Sequence, residues 1–250
     1  MLNAFSALTR GTRLVYSRGL RRYVFLPILV NLLVYSGMLW YVLGHFGGWL
    51  DGWMAMVPEW LSWLSWLIWP LFVLSLVLIV FFTFTLVTHL IAAPFYGFLA
   101  ARVEVEATGR PPLDDRGLAK TAVDALGREL VKLGYILPRM ALLFVLSWIP
   151  VLNLVAPLLW AAFSAWIMAI TYLDYPMDNN MVSFAEMRRR LKARWWPTLS
   201  YGGWVMLITW IPLANLFLLP GAVAAAVLMW ERHYRGLETD RAGGRPPQAR

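Results

Sequence analysis

The sequence predicts an all-α integral membrane protein, built from long membrane-crossing helices and shorter helix–turn–helix pairs. Three observations carry this. Of 250 residues, 60% are apolar and 14% charged, against about 45–50% and about 25% in soluble chains, which leaves too little charge to cover a water-facing surface. Fifteen residues are Trp, a side chain that gathers where hydrocarbon meets water. The apolar residues also come in uncharged runs near the roughly 20 residues that cross about 30 Å of hydrocarbon.

The first span is Tyr23 to Leu43, 21 residues without a charge, followed by a glycine-rich break at Gly44, Gly47 and Gly48. Arg10, Arg13, Arg18, Arg21 and Arg22 precede it and would suit a signal peptide. The run, however, exceeds the roughly 7–15 residues of such a segment, and no small-residue cleavage site follows before His45.

Trp60 to Ala101 follows, 42 residues without an Asp, Glu, Lys or Arg. As one helix it would reach about 63 Å, twice the hydrocarbon core. Trp60, Trp63, Trp66 and Trp69 recur every third residue with Ser62 and Ser65 between them, which suits a helix lying at the interface before Pro70 begins the crossing. The second span is then Pro70 to about Val87. Ala92-Ala93-Pro94-Phe95 is expected to loosen or kink its far end, and the helix continues to Arg102 and Glu104.

Two later regions echo each other. Trp148-Ile149-Pro150-Val151-Leu152-Asn153-Leu154 recurs as Trp210-Ile211-Pro212-Leu213-Ala214-Asn215-Leu216, each with a further proline, Pro157 or Pro220. Both read as helix, Pro/Asn turn, helix. Met140 to Asn153 would span about 21 Å and Leu216 to Trp230 about 22 Å, lengths that suit hairpins turning back inside the bilayer. A polar turn at that depth must be buried in protein or line a wet cavity.

Lys and Arg occupy positions 10–22, 102–139, 188–194 and 232–250, whereas 44–59 has none and carries Asp51 and Glu59. Both termini and both basic segments therefore share one side, the cytoplasm by the positive-inside rule. Two spans with two re-entrant hairpins satisfy this distribution, and so do six full spans; arm length favours the hairpins.

The water-facing pieces are amphipathic helices on that cytoplasmic side. One carries Leu118, Ala122, Leu126, Leu130 and Leu133 at helical spacing; the other opens on Ser183-Phe184-Ala185-Glu186, a capping-box start, and runs through Lys192. Residues 1–237 read as a single membrane domain and 238–250 as a disordered tail.

The residues exclude most chemistry. Cysteine is absent, which removes disulfides, thiolate metal sites and cysteine nucleophiles. No zincin, nucleophile-elbow or phosphate-loop motif occurs. His45 reads as a loop residue, His89 as a helix-face residue near the inner end of the second span, and His233 as interfacial. Asp174, Asp178 and Glu186 could form an acid cluster, and read better as a solvated loop. No cofactor, metal or nucleic-acid partner is expected, and the chain does not read as an enzyme.

Ser17-Arg18-Gly19-Leu20-Arg21-Arg22 leads directly into the first span. Gly19 permits a tight turn, the amides of the helix start and its dipole favour an anion, and paired guanidiniums fit a tetrahedral oxyanion. Arginines before a first span also serve orientation alone. Asn31, Asn153 and Asn215 sit at membrane depth, where polar groups line pathways or make turns and packing contacts. Arg102, Glu104 and Glu106 read as an interfacial helix end, or as an ion-pair cluster near a pore mouth.

Three stretches together carry a resemblance: Gly19-Leu20-Arg21-Arg22; Ala92-Ala93-Pro94-Phe95-Tyr96-Gly97-Phe98-Leu99-Ala100 through Val103-Glu104; and Tyr172-Leu173-Asp174-Tyr175-Pro176-Met177-Asp178-Asn179 with Ser183-Phe184. Over roughly Asn3 to Leu237 the chain resembles the CysZ sulfate permease family, part of a wider group that includes the etoposide-induced proteins. The resemblance implies a bacterial inner-membrane permease that admits sulfate for cysteine biosynthesis, with two long transmembrane helices and two hemi-penetrating hairpins. It implies a homo-oligomer, a hexamer with protomers inserted in both orientations, which sits uneasily with the one-sided charge. It places sulfate at Gly19, Leu20, Arg21 and Arg22, with Arg102, Glu104 and the asparagines as pathway elements. Sulfite and related oxyanions are the competing substrates, and a non-transporting scaffold in contact with membrane lipids is the competing role.

Overall fold

The computed structural model describes residues 3–17, 19–55, 65–113, 117–211 and 214–238. Arg18, Trp60, Trp63, the Pro212–Leu213 part of the second turn and the tail beyond Glu238 lie outside those residues. Among the described residues every regular element is helical: α1 (Ala4–Val15), α2 (Arg21–Met54), α3 (Ser65–Thr108), α4 (Leu118–Leu146), α5 (Pro150–Asn153), α6 (Ala156–Asn179), α7 (Phe184–Ala193), α8 (Trp195–Thr209) and α9 (Ala214–Met229). A π-helical turn, Trp230–Tyr234, and a 3-10 turn, Arg235–Glu238, follow.

The chain divides into two compact units, 25–92 and the remainder, 1–24 with 93–250. In the smaller unit, α2 and α3 present apolar side chains outward along their length, among them Leu29, Leu33, Trp40, Leu43, Leu71, Val77, Ile79 and Phe82. Helices so apolar and so little covered by protein need hydrocarbon around them. Among the described residues two stretches are long and apolar enough to cross a membrane, Arg21–Trp49 and, in α6, Ala156–Asn179, where the sequence suggests a hairpin arm. α3 also carries an apolar stretch, Trp69–Thr83 among the described residues.

Both long helices depart from the sequence expectation in the same way. α2 does not break at Gly44, Gly47 and Gly48 but runs 34 residues, to Met54. Each glycine costs a helix about 1 kcal/mol relative to Ala, yet a backbone away from water has nowhere else to satisfy its amides. His45 is therefore helical rather than in a loop. Its ring lies 4.3 Å from Tyr41 and 6.0 Å from Trp49 between centroids, a ladder at four-residue spacing that supports the helix through the glycines. α3 is likewise one helix of 44 residues, and Pro70 stands five residues inside it. Its excess length continues into the larger unit from Ala93 onward.

The larger unit is held by close backbone contacts at small residues. A Cβ on Gly202 of α8 would fall 1.8 Å from the Ala165 carbonyl oxygen of α6. One on Gly11 of α1 would fall 2.6 Å from the Ala225 amide and the Gly221 carbonyl of α9. Such approaches are how helices gain contact where lipid competes equally for apolar surface. Gly202→Ala is accordingly expected to cost about 2–3 kcal/mol, visible as a lowered melting temperature of the detergent-solubilised protein. The core beneath comprises Ala169, Ile170 and Leu173 of α6, Tyr201 of α8, Ala222 to Val227 of α9, and Trp230 and Tyr234. Tyr201 donates to the Ala222 carbonyl at 2.7 Å.

Each of the two echoing sequences lies between two helices. α4 ends at Leu146, Pro150 opens the short α5, and α6 starts at Ala156; α8 ends at Thr209 and α9 begins at Ala214. The tips carry exposed apolar side chains, with Trp148 75%, Leu154 85% and Trp210 81% exposed. The amphipathic helix that begins at Leu118 and the apolar arm at Met140 are one element, since α4 runs through Pro138.

Candidate functional site

Gly19 has φ of 106°, in the region that favours glycine, and it turns the chain from α1 into α2. Leu20 is buried while Arg21 and Arg22, the first two residues of α2, are exposed. The amides at a helix start have no carbonyl one turn back to receive them, so the positive end of α2 faces the same turn as both guanidiniums. Arg21 Nε donates to the Tyr16 carbonyl at 2.6 Å, and the Tyr16 hydroxyl donates to the Phe217 carbonyl of α9 at 2.8 Å.

The fold brings a third arginine to this corner. Arg102, near the end of α3, donates through Nε to the Tyr23 hydroxyl at 3.2 Å, and Arg22 Nη2 approaches the same oxygen at 3.4 Å. Among the described residues, Arg21, Arg22 and Arg102 face no carboxylate. Arg22 and Arg102 thus meet at one tyrosine hydroxyl, with Arg21 the first residue of the same helix, an arrangement suited to a small multivalent oxyanion.

Glu104 takes no part in that corner. Two residues along a helix turn the side chain by about 200°, and Glu104 is completely buried on the other face of α3. Asn180 Nδ2 donates to both its oxygens at 3.0 and 2.9 Å, and Arg235 Nη1 at 3.1 Å; Arg235 also pairs with Glu231 and donates to Asn180 Oδ1. Burial pushes the Glu104 carboxyl above its ordinary range, opposed by the Asn180 hydrogen bond and the Arg235 charge. Arg102 and Glu104 are therefore not an ion pair, and Glu106 is exposed.

The asparagines scatter. Asn31 is half-buried on α2, Asn153 is exposed at the end of α5, and Asn215 lies in the first turn of α9 with its side chain outside the described residues, as is that of His89. His233 falls in the π-helical turn, its ring 6.2 Å from Tyr234.

A second polar cluster replaces the solvated loop that the sequence suggests for Asp174 and Asp178. Asp174 is buried in α6, where Arg128 of α4 grips it through Nε at 2.8 and 3.0 Å and Nη2 at 2.7 Å. Arg128 also reaches Asp178 at 2.9 Å, and Lys132 reaches Asp174 at 3.2 Å and Glu129. The cluster borders a cavity of about 20 Å³, room for one water. A partner 46 residues away leaves no local spacing signal, so sequence reasoning missed the pairing. Among the described residues no group of His, Cys, Asp and Glu could hold a metal ion.

A sequence profile described as sulfate transporter CysZ/etoposide-induced protein 2.4 matches residues 7–220. The chain belongs to the CysZ/etoposide-induced protein 2.4 family. Among CysZ relatives, the sulfate transporter CysZ of Pseudomonas fluorescens strain Pf0-1 is 47% identical over 235 residues, covering 92% of this chain and 93% of that one. The protein of that name from Pseudomonas syringae pv. tomato strain DC3000 is 46% identical over 228 residues, 90% of each. That from Pseudomonas aeruginosa strain PAO1 is 43% identical over 228 residues, 90% of this chain and 93% of the relative. CysZ names a family of transporters and not of enzymes, in keeping with the absence of catalytic motifs. With two stretches long and apolar enough to cross a bilayer, this CysZ-family chain is an all-helical membrane protein.

Proposed function

We propose that the protein admits sulfate through a bacterial inner membrane to supply sulfate assimilation and cysteine biosynthesis. The observation that carries the reading is the meeting of Arg22 and Arg102 at the Tyr23 hydroxyl, with Arg21 at the N-terminus of α2, three guanidiniums that face no carboxylate among the described residues. Sulfate brings two charges and four acceptor oxygens, and desolvating it needs forked cationic donors. Gly19 sets the turn, Leu20 anchors it, and Arg21 and Arg22 receive the ion. Neutral donors further along, Asn31 and the turn asparagines Asn153 and Asn215, then hold it weakly enough to release it, as conduction requires. Glu104 serves this path from behind, by fixing α3 and so Arg102.

The exposed apolar tips at Trp148, Leu154 and Trp210 support re-entrant hairpins, α4–α6 and α8–α9, dipping from the cytoplasmic side on which α7, the basic start of α4 and both termini lie. Residues 1–237 act as one permease domain and 238–250 as a tail. Assembly of copies into a closed homo-oligomer gives the hairpin tips the protein neighbours that polar turn backbone at such depth requires.

Uptake of labelled sulfate into proteoliposomes tests the reading. Saturable uptake above protein-free vesicles, competed by excess unlabelled sulfate, is expected; uptake equal to that of empty vesicles would refute it. Tyr16→Phe should lower this uptake several-fold at low sulfate, since it removes one hydrogen bond worth about 1 kcal/mol from the strap that fixes Arg21 to α9. Saturating sulfate should recover most of the loss, whereas general misfolding would depress uptake at every concentration.

A further inference from the structure

We propose that Arg139 and Arg188 form a binding site for the phosphate of an anionic phospholipid, separate in its residues from the Arg21–Arg22 corner. Both guanidiniums converge on one ring: the central carbon of Arg139 lies 3.7 Å, and that of Arg188 4.8 Å, from the centroid of Tyr135. Arg188 also stands 5.1 Å from Phe184. The ring is fixed from other sides, by Trp166 Nε1 donating to its hydroxyl at 3.3 Å and by Phe184 edge-on at 5.8 Å.

The neighbouring arginines of α7 share one carboxylate. Arg189 pairs with Glu186, and Arg190 Nε donates to it at 2.8 Å. Burial raises the Glu186 carboxyl, but the Arg190 hydrogen bond and the charges of Arg189 and Arg190 outweigh it and hold the group below its ordinary range. Arg139 and Arg188 face no carboxylate among the described residues. Arg139 Nη1 donates to the Tyr135 carbonyl at 2.6 Å, while the buried Nε of Arg188 has no hydrogen-bond partner. Two cations on one ring repel each other, and a buried donor without an acceptor is costly. An oxyanion between the two forks relieves both.

The surroundings assign that anion to a lipid. Arg139 is the last charged residue before 140–173, which contains none, and the arm beyond it exposes Leu142, Phe144 and Val145. On the α7 side, Trp195 and Trp196 are exposed just after Lys192 and Arg194. A step from arginine to exposed apolar surface beside tryptophans marks the headgroup level. This placement rests on reading the run as embedded in the membrane, not on the transport of sulfate.

Native mass spectrometry of the purified full chain tests the site by comparing phosphatidylglycerol with phosphatidylcholine. Wild type should prefer phosphatidylglycerol, and Arg139→Gln/Arg188→Gln should weaken its binding about thirtyfold, on the scale of two interfacial arginines. Arg139→Lys/Arg188→Lys, which keeps the charge and loses the fork, should fall between them. Equal binding of the two lipids by wild type, or an undiminished preference in the Gln variant, overturns the proposal. So does displacement of the bound lipid by millimolar sodium sulfate, which would assign the pair to a free oxyanion. Wild-type preference alone decides the matter should the Gln variant not fold. Sulfate uptake by the variant, unchanged in either case, keeps this result distinct from the test of transport.

Discussion

Arg21→Gln/Arg22→Gln is expected to reduce sulfate uptake into proteoliposomes at least about a hundredfold at low sulfate. Each guanidinium offers charge-assisted hydrogen bonds worth about 1.5–3 kcal/mol to a bound anion, and two such losses exceed the 2.7 kcal/mol equivalent to a hundredfold. The third arginine, Arg102, meets the same tyrosine hydroxyl as Arg22 and remains in the variant, which accounts for residual flux. Arg10→Gln/Arg13→Gln, an equal change of net charge on the exposed face of α1, should leave uptake within about twofold, because neither side chain joins the Tyr23 contacts among the described residues and salt screens exposed charges. The comparison separates docking at a corner from attraction by a basic surface. Uptake by the Arg21/Arg22 variant within twofold of wild type would remove the pair from the mechanism.

Asp174→Ala is expected to destabilise the protein by about 3–5 kcal/mol, read from thermal unfolding in detergent. The side chain holds Arg128 bidentately and Lys132 at 3.2 Å in a buried place, and removing one member of such a group leaves the other charges uncompensated. The companion variant Asp174→Leu/Arg128→Met should recover much of the loss, because an apolar pair of similar volume often replaces a buried ion pair without penalty. Equal damage in both variants would mean that shape, rather than charge pairing, governs the site.

Much of the architecture follows from features that leave a local trace. The start of α2 is written in the step from Arg21-Arg22 to a charge-free run, and the two turns in the repeated Trp-Ile-Pro. The start of α7 is written in Ser183, whose hydroxyl accepts from the Glu186 amide at 3.2 Å. The failures concern helix ends and distant partners. Gly44 to Gly48 read as a stop because glycine disfavours a helix interior, whereas α2 continues through them to Met54. The amphipathic run from Leu118 and the apolar arm from Met140 read as two pieces, and α4 carries both through Pro138. Nothing in the sequence links Glu104 to Arg235, 131 positions on, or Arg102 to Tyr23, so both arginine contacts emerge only once α3 is placed. The sequence places no helix before the first span, yet Ala4–Val15 forms one, capped by Asn3 and Ser6 and packed on α9 through Gly11 and Gly221.

The clasp on Glu104 works as a rotary lock. With that carboxylate clamped by Asn180 and by Arg235 from the C-terminal 3-10 turn, α3 has one permitted azimuth, and Arg102, about 200° round the same helix, can point in one direction only. Arg235, in the last described turn of the polypeptide, thus braces a helix that carries a cation on its other side. Shortening the protein before Arg235 would remove one of the contacts that seat this end of α3, alongside the Asn179 hydrogen bond to the Gly97 carbonyl, so the arginine corner leans on residues that never touch it.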